Sequence, residues 1–137
     1  TNSAGNTGAA KWKRIGFPGD AHDVLTVGAL APDSTNTTFS SVGPTYDGRV
    51  KPDVMAMGGY CTVINGKGLV AHANGTSFST PITCGLVACL WQALPNKTAS
   101  EIMQLVRESA DRADYPDNIF GYGIPDFWKA YQMGLNK

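Results

Sequence analysis

The residues best suited to chemistry lie in one octapeptide, NGTSFSTP, which spans residues 74–81. Ser77 stands two residues after Gly75, at a predicted junction between a strand and a helix, so its hydroxyl is expected at a helix N-terminus. Unpaired backbone N–H groups and the positive end of the helix dipole stabilise negative charge there, as a serine needs when it attacks a carbonyl and forms an oxyanion. A plain helix N-cap stays open as the alternative, because serine is preferred at caps without any chemistry. Ser79 replaces the second glycine of a Gly-x-Ser-x-Gly elbow, which disfavours an α/β-hydrolase site.

Several short segments around this octapeptide have the composition of strands. Apolar, β-branched runs predict buried strands over residues 24–30 and 53–57, and shorter extended segments over residues 39–44, 60–64 and 69–73. The sequence NGKG at residues 65–68 predicts a hairpin turn between the last two segments.

The C-terminal part of the sequence has helical patterns. Residues 77–94 are apolar on almost every side, which is typical of a buried helix, and Pro81 is expected to kink it. Thr98 and Glu101 have the spacing of a capping box. The helix that they open has one apolar face, formed by Ile102, Leu105, Val106 and Ala110. Residues 120–124 are expected to be extended, and Asp126 to cap a last helix. Strands interleaved with helices predict an α/β layer architecture.

The length, charge and hydropathy of the chain argue against several classes of function. The 137 residues suffice for one modest domain, and 11 acidic and 11 basic side chains balance. Zero net charge argues against binding to nucleic acid or to an anionic membrane surface, and no apolar run is long enough to span a bilayer.

The sequence begins without an initiator methionine or a signal peptide, so we expect it to be part of a longer protein. The three cysteines, Cys61, Cys84 and Cys89, are expected to be unpaired and buried, since their number is odd.

Several segments, in order, resemble the subtilases, the subtilisin-like serine peptidases. Residues 74–81 are similar to the family's nucleophile motif, usually Gly-Thr-Ser-Met-Ala-x-Pro, with Ser77 in the nucleophile's place. Residues 3–6, SAGN, resemble the family's Ala-Ala-Gly-Asn segment. Further segments match in the expected order, at residues 39–43, at residues 51–56, in the helix that begins at Thr98 and at residues 120–123. The resemblance therefore covers residues 1–137 as the C-terminal half of a subtilase catalytic domain.

The resemblance implies a three-layer α/β fold with a mostly parallel sheet, and a serine endopeptidase that acts through an acyl-enzyme. It makes Ser77 the nucleophile and Asn6 the donor to the oxyanion, and it places Ser3, Ala4 and Gly5 along the substrate pocket. It also implies a polypeptide substrate and a secreted or periplasmic location. No cofactor is expected; calcium is common in the family, but no cluster of ligands locates a site. Two departures from the family pattern, Phe78-Ser79 after the nucleophile and Met57 in place of a proline, leave this chemistry untouched.

The general base and its carboxylate partner are missing from the sequence. The family's aspartate and histidine motifs would precede Thr1, and we interpret His22 and His72 as structural or solvated and Asp53 as a turn or strand-end residue. The chain alone is therefore expected to be inactive and to need the N-terminal half of its domain as a partner. Because one edge of the sheet would lie exposed, a homo-oligomer or an exchanged dimer is also expected. Two alternatives stay open: a non-catalytic subtilase-like binding or structural module, and an unrelated β-rich binding module.

Overall fold

A computed structural model describes residues 1–136, which form five strands and three helices. The strands are β1 (Asn2–Ser3), β2 (Thr26–Leu30), β3 (Val54–Met57), β4 (Cys61–Ile64) and β5 (Val70–Ala73). The helices are α1 (Thr76–Ala93), α2 (Ala99–Ser109) and α3 (Phe127–Asn136). This helix content is incompatible with the β-rich module.

The central sheet is parallel and has the strand order β1-β2-β3. Every residue of β2 is buried, because β2 lies between two strands and α1 packs across the sheet. A buried parallel strand accommodates an uninterrupted apolar run, which is the pattern that predicted it. Strands β4 and β5 form a separate antiparallel hairpin whose turn lies at residues 65–68, as expected. The α/β architecture with a mostly parallel sheet is thus confirmed.

The hydrophobic core lies between the sheet and the three helices. Its buried members are Leu25, Val27, Val54, Leu90, Leu94, Ile102, Leu105, Val106 and Ala130. The capping box of α2 is present, since the Glu101 N–H donates to Thr98 Oγ1 at 3.3 Å and the Thr98 N–H donates to Glu101 Oε2 at 2.7 Å. The cap fixes where α2 begins and so aligns its apolar face with the core.

Two segments predicted to be extended lie outside the strands. In residues 39–44 only Val42 makes a bridge, to Arg14, and the Ser40 hydroxyl instead accepts from the Ala29 N–H at 3.1 Å. Residues 120–124 contain turns, because Gly121 and Gly123 both adopt positive φ, of 60° and 92°. Residues 120–124 still pair briefly with the start of β3, because the Tyr122 N–H donates to Asp53 O at 2.8 Å and the Met55 N–H donates to Gly123 O at 2.9 Å. This pairing is too short to form a strand.

Helix α1 runs unbroken through Pro81, but much of its surface is exposed. Thr76, Ser79, Thr83 and Leu90 are its buried residues, whereas Ile82, Leu86 and Trp91 are 45%, 43% and 42% exposed. The expectation of three buried cysteines is wrong in part: all three are unpaired, yet only Cys61 is buried and Cys84 and Cys89 are exposed. The reason is that one face of α1 packs on the sheet, and no other element among residues 1–136 covers the outer face of the helix.

Candidate active site

Ser77 lies at the start of α1 with its side chain exposed. The helix start is held to the end of β3, because the Gly75 N–H donates to Gly58 O at 2.8 Å. Gly75 is the N-cap and offers no side-chain cap. Within residues 1–136, neither the N–H nor the Oγ of Ser77 has a hydrogen-bond partner, so this N–H is a free donor at the positive end of the helix.

Asn6 reaches the same helix start from the far end of β1, although it is 70 residues away in sequence. The N–H and the Oγ1 of Thr76 both donate to Asn6 Oδ1, each at 2.9 Å. Because the Thr76 N–H can only donate, the amide oxygen of Asn6 must face Thr76 and the Nδ2 group must face away. Nδ2 lies 3.6 Å from the position that a Cβ would take on Gly75. The structure therefore brings Asn6 and Ser77 to the same helix end, with the amide N–H₂ of Asn6 free to donate.

A hydrogen-bond network behind Asn6 was missed by the sequence analysis. Thr76 is fully buried, and its Oγ1 also accepts from the Gly5 N–H at 3.2 Å. Ser41 donates from its N–H to Gly5 O at 2.9 Å, and its Oγ accepts from the Thr7 N–H at 3.0 Å. Gly5 has a φ of 100°, and a Cβ there would meet Ser41 Oγ at 2.9 Å. The only signal in the sequence was position, because Thr76 directly precedes the predicted nucleophile and Ser41 lies in one of the segments that resemble the family.

Of the three predicted substrate-binding residues, Ser3 shares a groove with Ser77, Gly5 contacts the neighbouring Thr76, and Ala4 is buried. An open groove of about 570 Å³ runs along α1, and its lining includes Ser3, Ser77, Thr80, Pro81 and Cys84. A second depression of about 300 Å³ is lined by Ser3, Ala4, Gly5, Trp12, Arg14 and Phe17, among others. Ser3 contributes to both concave surfaces, whereas Ala4 and Gly5 line only the second.

Neither histidine contacts Ser77. His72 stacks on Tyr60 with ring centroids 3.9 Å apart, and His22 lies 3.5 Å from Asp47 in an exposed pair. The interpretation of both as structural or solvated residues agrees with these positions, and the part of the chain that the structure describes gives Ser77 no general base.

Asp53 directly precedes β3 and is more than a strand-end residue. Its carboxylate is buried and accepts from Lys51 Nζ at 2.6 Å, from Arg107 Nε at 2.8 Å and from the Thr26 N–H at 2.6 Å. Burial lowers the pKa of Lys51, and the negative charge of Asp53 acts in the opposite direction. Because Gly58, just after β3, holds the start of α1, this network and Ser77 lie at opposite ends of a strand that spans roughly 13 Å.

Two absences complete the description of residues 1–136. They contain no group of three or more His, Cys, Asp or Glu side chains that is arranged to hold a metal ion. None of their helices combines the length and the apolar character that a membrane crossing requires.

Comparison with known proteins decides the family. The model of the Subtilase family, Peptidase_S8, matches residues 2–123. The chain belongs to the subtilase family. The resemblance noted in the sequence is thus confirmed, and with it the family's description as serine proteases and hydrolases.

Curated relatives of the chain include several proteases. It is 34% identical over 143 residues to the serine protease AprX of Bacillus subtilis (strain 168), an alignment that covers 88% of the chain and 32% of AprX. It is 28% identical to the subtilisin-like protease SBT6.1 of Arabidopsis thaliana, which covers 96% of the chain and 14% of that protein. The chain thus spans about a third of AprX and less of SBT6.1. These relatives support a peptidase function in general terms.

Solved structures show the same fold. The self-cleaved protease domain of PatA is 26% identical, with a TM-score of 0.77 over 98% of the chain and 49% of that domain. The CspB protease of Clostridium perfringens is 21% identical, also with a TM-score of 0.77, over 90% of the chain and 29% of CspB. The chain therefore has the topology of part of a subtilisin-like protease.

Proposed function

We propose that residues 1–137 form the C-terminal half of a serine endopeptidase domain and supply its nucleophile and its oxyanion hole. The main support for this proposal is the position of Ser77 and Asn6 at the positive end of α1. The Ser77 N–H and the amide N–H₂ of Asn6 are two donors there that have no protein partner among residues 1–136. A tetrahedral oxyanion is most stable where such donors are held in place before the reaction, because no reorganisation is then needed.

In the proposed reaction Ser77 Oγ attacks the carbonyl carbon of the scissile peptide, and its proton passes to a general base in the other half of the domain. The oxyanion accepts from the Ser77 N–H and from Asn6 Nδ2. The C–N bond then breaks as the base returns the proton to the leaving amine, which leaves an acyl ester on Ser77. Water, activated by the same base, hydrolyses the ester, while Ser3, Ala4 and Gly5 line the pocket for the substrate. No cofactor is required by these steps.

The chain alone is proposed to be inactive. Removal of the histidine of a subtilisin lowers turnover by roughly 10⁶, and here neither the base nor its carboxylate lies among the residues near Ser77. The experiment compares labelling by a fluorophosphonate in the isolated chain, in the full-length protein and in its Ser77→Ala variant. We expect labelling of the full-length protein only. Labelling of Ser77 in the isolated chain refutes the proposed inactivity.

A non-catalytic role of the whole protein is the second candidate. The absence of a base near Ser77 among residues 1–136 is compatible with this role and equally with a base in the other half of the domain. The same labelling experiment distinguishes the two candidate functions. A full-length protein that folds but does not react with the fluorophosphonate is a subtilase-like binding or structural module, whereas labelling that the Ser77→Ala change removes identifies a peptidase.

The remaining half of the domain is the proposed partner of the chain. The outer face of α1 carries exposed Ile82, Leu86 and Trp91, and one edge of β1 is unpaired within residues 1–136. Exposed apolar side chains and open edges favour association with further polypeptide. In the absence of the N-terminal half, the chain is proposed to form a homo-oligomer through the open edge. A strictly monomeric mass by light scattering contradicts this. For the full-length protein we propose a secreted or periplasmic location.

A further inference from the structure

A second concave site lies at the end of β3 that is remote from Ser77. It is a pocket of about 250 Å³, and its lining includes His22, Arg49, Lys51, Asp53, Arg107 and Tyr122. None of these residues has a part in the chemistry of Ser77. The pocket therefore needs an explanation of its own.

The inner wall of the pocket is an ion network centred on the buried carboxylate of Asp53. Lys51 Nζ donates to Asp53 Oδ2 at 2.6 Å, to Val24 O at 2.7 Å and to Thr26 Oγ1 at 3.0 Å, so all three of its protons are placed. Arg107 Nε donates to Asp53 Oδ1 at 2.8 Å. Each oxygen of Asp53 thus already faces a cation, and the carboxylate accepts three hydrogen bonds in all.

Several donors in the pocket have no protein partner among residues 1–136. The two Nη groups of Arg107 make no hydrogen bond there, although only 17% of this side chain is exposed. Arg49 donates from Nε to Asp47 Oδ2 at 2.8 Å and from Nη2 to Asp20 O at 2.7 Å, which leaves its Nη1 group free. The hydroxyl of Tyr122 also has no partner.

The charges of the side chains around the pocket also favour binding of an anion. Lys51, Arg49 and Arg107 carry three positive charges in and around the pocket, against the two carboxylates of Asp53 and Asp47. In the ion pairs of this cluster, three cations therefore share two carboxylates. Burial is the main cause that lowers the pKa of Lys51, and the positive charges of Arg107 and Arg49 lower it further, as expected when cations share a small volume.

We propose that this pocket binds a small oxyanion of the phosphate or carboxylate class, held by Arg107, Arg49 and the hydroxyl of Tyr122. Guanidinium groups present planar pairs of donors that match such oxygens, and hydrogen bonds to an ionised group are the strong ones. The anion adds negative charge to this cluster of cations and ties α2, which carries Arg107, to the segment before β3, which carries Arg49. Its role is to stabilise this end of the sheet, apart from peptide hydrolysis.

The test measures anion binding to the full-length protein. Calorimetric titration with inorganic phosphate and, separately, with acetate is carried out against chloride of equal ionic strength, together with thermal unfolding. We expect saturable binding of at least one of the two oxyanions, and which of them binds better identifies the class. At tenfold its Kd the anion is expected to raise the Tm by about 2–5 °C relative to chloride.

Two variants locate the site without touching the Asp53 network. Arg49→Gln and Tyr122→Phe each remove one proposed donor, and each is expected to weaken binding by about tenfold. Lys129→Gln is the matched control, because it removes a cation on the exposed surface of α3 and is expected to bind as the wild type does. Circular dichroism verifies that each variant is folded.

Two outcomes overturn the proposal. One is that the wild type binds neither phosphate nor acetate beyond the effect of chloride. The other is that folded Arg49→Gln and Tyr122→Phe proteins bind as tightly as the wild type. Because the readout is binding and not peptide hydrolysis, neither outcome depends on whether Ser77 is a nucleophile.

Discussion

Thr76 gives the sharpest test of how the oxyanion hole is held together. Its hydroxyl donates to Asn6 Oδ1 at 2.9 Å and accepts from the Gly5 N–H at 3.2 Å, so it fixes the orientation of the Asn6 amide without touching the substrate. Thr76→Val keeps the shape of this buried side chain and removes both hydrogen bonds. The Thr76 N–H still donates to Asn6 Oδ1 at 2.9 Å, so the amide loses only part of its support.

The magnitude follows from these contacts. A neutral hydrogen bond of this kind contributes about 0.5–1.5 kcal/mol. The bond from Thr76 Oγ1 to Asn6 is proposed to hold the amide that stabilises the transition state. Its loss is therefore expected to lower kcat by about two- to tenfold, since 1.36 kcal/mol corresponds to tenfold in rate. Asn6→Ala, which removes the donor itself, is expected to cost on the order of 10²–10³ in kcat, the loss known for the equivalent change in a subtilisin.

The assay is steady-state hydrolysis of a chromogenic peptide by the full-length protein. Because the proposed role of Thr76 is to support the oxyanion and not ground-state binding, we expect kcat to fall while KM changes by less than about twofold. Thr76→Ser retains the hydroxyl and is expected to restore most of the activity. Unchanged kcat in Thr76→Val, or equal losses in the valine and serine variants, refutes the reasoning.

Three further predictions concern stability. Asp53→Asn leaves the buried Lys51 and the partly buried Arg107 without their carboxylate and is expected to destabilise the protein by about 3–5 kcal/mol in urea unfolding; a loss below about 1 kcal/mol contradicts the buried network. Gly5→Ala places a Cβ at positive φ next to Ser41 Oγ and is expected to cost about 1–3 kcal/mol and to lower kcat, and a neutral effect on both speaks against a strained loop. Hydrogen bonds from the Thr98 N–H and hydroxyl lower the pKa of Glu101 below its ordinary value of 4.5, so the stability from this cap is present above pH 4.5 and is lost as the pH falls through the lowered pKa. Urea unfolding of Thr98→Ala and the wild type between pH 3 and pH 6 checks this, because the stability difference between them must shrink at the acid end.

The elements of the fold were predictable because their signals are local. Strand β2 and the β4–β5 hairpin follow from runs and turns within a few residues, and the capping box at Thr98 fixes the start of α2. The segments that were not predicted correctly lack such signals. The Ser40 hydroxyl accepts from a strand N–H, and near Gly123 only two backbone hydrogen bonds join the chain to residues 53–55, so neither segment forms a strand.

The sequence was enough to predict which residues form the candidate site, but not the contacts between them. The octapeptide and the SAGN segment identified Ser77 and Asn6. The contact between Asn6 and Thr76, however, joins positions 70 residues apart, and no local sequence pattern indicates it. The pairing of Asp53 with Arg107 spans 54 residues and was missed for the same reason. The exposure of Cys84 and Cys89 depends on what covers α1, which no pattern within the helix specifies.

The central claim is that one oxyanion is bound jointly by the Ser77 N–H and by Asn6 Nδ2. A crystal structure of the full-length protein after reaction with a fluorophosphonate measures this directly, because the phosphonyl oxygen occupies the position of the oxyanion. We predict a covalent bond to Ser77 Oγ, with that oxygen about 2.7–3.1 Å from both nitrogens. An adduct on another residue, or a phosphonyl oxygen that contacts neither nitrogen, contradicts the claim.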